Sequence, residues 1–228
     1  MTRIDRAHNG AKGNDPMDII IRNETEKDYR AVEEITREAF WNLYFPGCNE
    51  HYLAHVMRTH PDFLKELDFV AEYDGKIVGN IMYTKAWLID EQGNITDIVT
   101  FGPVCVIPEY QRKGIGSALI NHTKKIAIEK GAKAIVIFGD PHNYCKHGFK
   151  SAKDLNISDL NGDNPYGMLA LELEEEALAG HQWKYKYSDV YEINETDADE
   201  FDKNFEKKEK GYQYTQEIFS IAIRSYVK

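Results

Sequence analysis

Apolar residues concentrate in two neighbouring stretches, Phe69–Tyr73 and Lys76–Ile89, and the residues between them are Asp74-Gly75. Asp-Gly between apolar runs is the pair that a type I′ turn prefers, so the pattern predicts a β-hairpin. Upstream the period lengthens. Residues 18–22 read as a short strand. Thr25 and Asp28 then have capping-box spacing, and Tyr29, Val32, Ile35, Ala39 and Phe40 fall on one helical stripe. A break at Phe45-Pro46-Gly47 precedes a second helical pattern over residues 50–58, closed by His60-Pro61.

Downstream, after a turn at residues 91–94, a long strand is expected over residues 95–107, interrupted at Gly102-Pro103. Proline removes a ladder donor and glycine permits a bulge, so this strand should bend from its neighbour and leave main-chain groups unpaired. Residues 116–130 form a helical pattern with Leu119 and Ile126 inward and Gly131 placed to end it; residues 134–138 are continuously apolar. Strand, helix and strand in that order make a right-handed parallel unit whose ligand crevice lies at the strand ends. A short helix at residues 139–144, a strand from Phe149 and a last strand at residues 167–173 complete an α/β fold, a mixed, mostly antiparallel sheet with helices on both faces.

Composition narrows the class. With 228 residues and 42% hydrophobic content the chain can build one large core. The first sixteen residues are polar and aperiodic, precede Met17, and read as an expression leader. No run of about 18 apolar residues and no secretory signal are present, which points to a cytoplasmic protein without a membrane partner. A formal charge of -10 argues against a nucleic-acid partner. The three cysteines, Cys48, Cys105 and Cys145, lack CxxC spacing and read as reduced thiols. Cys145 and His147 are too loosely placed for a nucleophile and its base, and His51 and His55 stand one helical turn apart without the third ligand a metal needs.

The segment that carries chemistry is Val104-Cys105-Val106 running into Gln111-Arg112-Lys113-Gly114-Ile115-Gly116-Ser117 and then into the helix. Glycine at 114 and 116 lets the backbone approach a ligand, and the first free N–H groups of the helix present its positive end, a cradle for a diphosphate. No Gly-Lys-Ser/Thr follows, and the dinucleotide fingerprint lacks its third glycine because Leu119 stands there.

Together with Tyr144-Cys-Lys-His-Gly-Phe149, this string resembles the GNAT superfamily of N-acetyltransferases, whose signature is Gln/Arg-x-x-Gly-x-Gly/Ala at a helix start and Tyr-x-x-x-Gly-Phe one strand later. The likeness covers residues 19–173, so residues 17–173 read as the acetyltransferase domain and 174–228 as an extension packing on the core or on a partner subunit. The resemblance implies a GNAT-like acyl-CoA N-acyltransferase fold with acetyl-CoA as donor. Its pantetheine arm would lie along Val104, Cys105 and Val106, and its diphosphate on residues 111–117. It also implies Tyr144 as general acid to the departing thiolate and a backbone N–H near Val106 for the oxyanion, with a primary amine of a small molecule or peptide as acceptor.

Two positions depart from the family pattern. The asparagine that many members carry seven residues before the tyrosine is replaced by Ile137, and the glutamate that some members place eleven residues before the loop is Thr100. Asp97, Glu72, His142 or a water held by Thr100 remain open as proton acceptors, and a non-catalytic acyl-CoA sensor or scaffold is the alternative function. In the extension, residues 192–210 hold eight acidic against four basic residues and precede an aromatic run from Tyr212; the stretch could cover the acceptor groove and select cationic substrates, but it reads rather as a solvated face whose aromatics dock on the core or in a homodimer.

Overall fold

The computed structural model describes residues 17–228 and the backbone of residues 2–3; the rest of the expected leader lies outside the described residues. Its strands are β1 (Thr2–Arg3), β2 (Ile20–Asn23), β3 (Phe69–Tyr73), β4 (Lys76–Ile89), β5 (Ile95–Val106), β6 (Ala134–Phe138), β7 (Lys150–Ser151), β8 (Ile157–Ser158), β9 (Met168–Glu172) and β10 (Trp183–Tyr187). Among the described residues six α-helices accompany them: α1 (Tyr29–Phe40), α2 (Glu50–Met57), α3 (Ile115–Glu129), α4 (Pro141–Tyr144), α5 (Glu195–Asp202) and α6 (Tyr214–Ala222). Along the sheet the order is β1-β2-β3-β4-β5-β6-β9-β7. Every neighbouring pair on this path is antiparallel except β5 and β6.

The hairpin forms where Asp74 and Gly75 take φ of 49° and 72°, the left-handed torsions that a type I′ turn requires. β4 is long enough to serve two partners on one edge: its first half pairs with β3 and residues 86–89 pair with β10. The sheet therefore does not finish at residues 167–173, as the apolar pattern predicts. Its last strand is β10, inside the segment read as an extension, and Trp183 and Tyr185 on one face of that strand are buried.

At Gly102-Pro103 the expected irregularity is a bulge: Ile81 pairs with Val104 and Tyr83 with Phe101, so Met82 faces two residues. β5 stays on β4 beyond it. The parting occurs on the opposite edge, where β5 and β6 meet only at Val99 and Ile135. One core, with Tyr83, Ile81, Leu119, Ile135 and Phe149, fills the α3 side of the sheet; α1 and α2 cover the other.

α1 buries more than its apolar stripe. Glu33, Thr36 and Arg37 are buried beside Val32 and Ile35, because their partners come from distant segments. Arg58 on α2's end donates to Glu33 at 2.8 Å, and Arg37 donates to Asp202 on α5 at 2.6 Å. The capping box is half made. Asp28 accepts the Thr25 N–H at 2.9 Å, while the Thr25 hydroxyl donates to the same carboxylate instead of capping the helix. Among the described residues no helix is long and apolar enough to cross a membrane.

Candidate active site

A cleft of about 980 Å³ opens where β5 and β6 separate, and its walls include residues 100–106, the glycine loop, Gly139, Tyr144, α1's end and β10. Two adjacent strands that diverge leave main-chain donors and acceptors without a ladder partner. Which groups are free follows from the register. Val106 stands opposite Gly79 and Cys105 opposite Asn80, while the Ile107 N–H donates to the Val78 carbonyl at 3.0 Å. Antiparallel pairs alternate between bonded and non-bonded, so the amides of Val104 and Val106 face the gap and those of Cys105 bond β4. Of the three residues expected along a pantetheine arm, Cys105 is thus withheld by its own sheet. Its thiol is buried 3.3 Å from the Thr36 hydroxyl, and burial raises its pKa to about 11, which suits packing rather than reaction.

The loop has the predicted form. Arg112 and Gly114 take φ of 59° and 86°, and Gly114 precedes α3 without a side-chain cap, so the N–H groups of Ile115, Gly116 and Ser117 have no helical partner. Ile115 anchors the first turn in the core while residues 111–114 are exposed. Gln111 ties the loop to the strand by donating from Nε2 to the Val106 carbonyl at 3.0 Å. Lys113 instead lies over the Tyr110 ring, 4.8 Å from its centroid.

Tyr144 ends α4, with its ring between Phe101 and Phe149 at centroid distances of 5.8 and 6.0 Å. Burial, with Tyr44 and Asp140 nearby, pushes its phenol above the usual range, so the proton stays on oxygen at neutral pH. The candidate bases from sequence are elsewhere. Glu72 is engaged by Arg22 at 2.9 Å, and neither Asp97 nor His142 lines the cleft. Thr100 does line it.

Sequence reasoning missed Glu50. This first residue of α2 sits on the cleft wall, half-buried, and burial lifts its carboxyl to about 7, moderated by backbone donors at Glu50 and Asn49. No motif marks it, because only the turn at residues 45–49 brings it to the cleft wall, near Tyr44. Tyr185, Tyr187 and Tyr191 were missed too, although Trp183-Lys-Tyr-Lys-Tyr187 carries a period of two that signals a strand.

Other candidates are accounted for by packing. His51 Nε2 lies 3.1 Å from Asp202 and its Nδ1 3.4 Å from the Cys48 sulfur, whereas His55 Nδ1 faces Glu33 at 2.9 Å, so the two histidines do not converge. Cys48 is buried outside the cleft and its thiol is pushed far above the ordinary range, while Cys145 is exposed and His147 buried.

The profile of the Acetyltransferase (GNAT) family matches residues 34–149, just over half of the chain and the part that holds the loop and the Tyr144 element. The chain belongs to the GNAT acetyltransferase family. An N-alpha-acetyltransferase of Sulfurisphaera tokodaii is 33% identical over 160 residues, covering 66% of this chain and 91% of that protein. The uncharacterized N-acetyltransferase YjhQ of Escherichia coli is 33% identical over 84 residues, which are 37% of this chain; the match spans about half, 46%, of that relative's length. Among solved structures, the GNAT family N-acetyltransferase YhbS from Escherichia coli, in complex with CoA, superposes with a TM-score of 0.68 at 22% identity over 80% of this chain and 97% of that one. This GNAT fold has the mixed, mostly antiparallel sheet, with the parallel pair β5 and β6 at the splay and a second, β8 and β10, off the main path.

Proposed function

We propose that this GNAT protein transfers the acetyl group of acetyl-CoA to a primary amine of a small molecule or peptide. One arrangement carries the reading: a single cleft holds the unpaired N–H groups of the α3 turn, the open edge of β5, the Tyr144 phenol and the Glu50 carboxyl. Family membership supplies the donor class, and the CoA-bound YhbS structure supports it.

The diphosphate rests on residues 111–117, with Arg112 as its cationic wall, and the pantetheine arm pairs with the main-chain groups of Val104. Glu50 takes a proton from the acceptor's ammonium. The freed amine nitrogen attacks the thioester carbonyl, forming the C–N bond while the Val106 N–H meets the developing oxyanion. The C–S bond then breaks, Tyr144, held protonated by burial, donates to the departing sulfur, and the proton that the new amide nitrogen sheds returns through water to the Tyr144 phenolate. Glu50, with a carboxyl near neutrality, supports turnover over silent acyl-CoA binding.

Calorimetry with acetyl-CoA, followed by thiol release across an amine panel, tests the assignment. Micromolar binding and amine-dependent release are expected. Folded protein that ignores acetyl-CoA overturns the reading, and binding without release for any amine replaces it with a sensor.

A further inference from the structure

Phe138 ends β6 with 53% of its surface exposed, and Tyr187 ends β10 with 39% exposed. Large rings at the ends of sheet strands are ordinarily covered, yet both of these line the cleft. They meet at right angles: the Phe138 and Tyr187 centroids are 6.1 Å apart with planes at 89°, and Tyr187 and Tyr191 are 6.1 Å apart at 80°. Perpendicular rings form a corner with two faces on one volume, unlike the parallel slot that would clasp a flat aromatic ligand. Tyr191 is fixed by donating its hydroxyl to the Gly102 carbonyl at 3.2 Å.

Charge in the cleft is divided. Its cationic side chains are Arg112, in the loop assigned to the diphosphate, and Lys146, two residues past Tyr144; its carboxylates are Glu50 and Asp140. The corner itself contains no cation. Tyr144 makes its ring contacts with Phe101 and Phe149, so the corner is a second place in the cleft, apart from the reacting nitrogen. Ring faces attract a positive group, and a quaternary or primary ammonium gains about tenfold in affinity from such a site.

Resting on the acetyltransferase reading, we infer that the acceptor is a primary amine bearing a second cationic nitrogen, which lodges between Phe138, Tyr187 and Tyr191. One amine is acetylated near Tyr144 and Glu50 while the other stays charged in the corner.

Matched acceptors test this: pentylamine, pentane-1,5-diamine, (5-aminopentyl)trimethylammonium and 6-aminohexanoate, each with saturating acetyl-CoA. The two dications are expected to exceed pentylamine at least about tenfold in kcat/KM, and the carboxylate to fall below it. Tyr187→Phe keeps a ring face and should retain the ratio of quaternary amine to pentylamine. Tyr187→Leu keeps apolar bulk without a ring and should collapse that ratio about tenfold. Equal use of pentylamine and the dications overturns the inference, as does a ratio that Tyr187→Leu leaves intact.

A binding arm separates this from failure of the enzymatic reading. Should no amine release thiol, calorimetry with butyltrimethylammonium decides: binding that Tyr187→Leu weakens and Tyr187→Phe preserves sustains the cation site while the transferase assignment falls. No such binding removes the site as well.

Discussion

A Cβ on Gly139 would lie 2.4 Å from Cε2 of the Tyr144 ring. The backbone of the segment after β6 therefore forms the floor on which the phenol lies, and any side chain there must move the ring. Gly139→Ala is expected to lower turnover by displacing the hydroxyl, and Tyr144→Phe by removing it, each about a hundredfold in kcat. The acetyl-CoA dissociation constant of Tyr144→Phe should stay within about threefold of the parent, since main-chain groups hold the donor in this reading. Stopped-time thiol assays and calorimetry check both, and an undiminished kcat in Tyr144→Phe removes the acid.

Glu50 sets a pH dependence. Its carboxyl, raised to about 7 by burial, must be ionised to accept a proton, so kcat/KM should rise as pH increases through neutrality. Glu50→Gln should lose about a hundredfold at neutral pH. Activity should recover toward about pH 10, where the acceptor amine deprotonates unaided. A variant with the parent's profile shifts the base elsewhere.

Arg37 and His51 are nearly inaccessible, with 4% and 0% of their side chains exposed, and both face Asp202. Asp202→Asn strands a buried guanidinium, a change that costs about 3 kcal/mol or more. Denaturant unfolding should show that loss as a lower midpoint, with little change in slope. A midpoint equal to the parent's would mean that the pairing of Asp202 with Arg37 and His51 contributes nothing to stability.

Asp68 couples stability to alkali. Burial first, and then the neighbouring Glu24, which Arg58 also grips, push the Asp68 carboxyl well above the usual carboxylate range, and Asn80 donates to it at 3.1 Å. The folded chain thus holds a proton that the unfolded chain releases near about pH 4, and the associated stability is lost as pH rises from there through the folded value. Unfolding free energy should decline between about pH 5 and about pH 9. Asp68→Asn should flatten that decline, and an unchanged slope would exclude Asp68 as its source.

Local rules made the hairpin, the α3 cradle and the Tyr144 element legible, because Asp74-Gly75, Gly114 and Gly131 must adopt torsions that few residues allow. Their φ values of 49°, 72°, 86° and 79° are the ones the pattern required. Residues whose role depends on remote partners were not legible. Arg37 looks like a surface residue until Asp202 arrives from α5, and Glu50 looks like an ordinary first-turn acid until a turn aims it at the cleft. The splay was anticipated at the right strand but not assigned to an edge, since a bulge at Gly102-Pro103 reveals irregularity without revealing which neighbour is lost.

β10 joins the sheet beyond the segment that the family profile spans, and Tyr185, Tyr187 and Tyr191 come with it. In the proposed reading, two of the three rings at the acceptor corner, Tyr187 and Tyr191, thus come from outside the stretch that holds the donor loop. On that reading, exchanging the tail for another that offers a compatible strand would alter which amines are admitted while the coenzyme berth carried on unaltered.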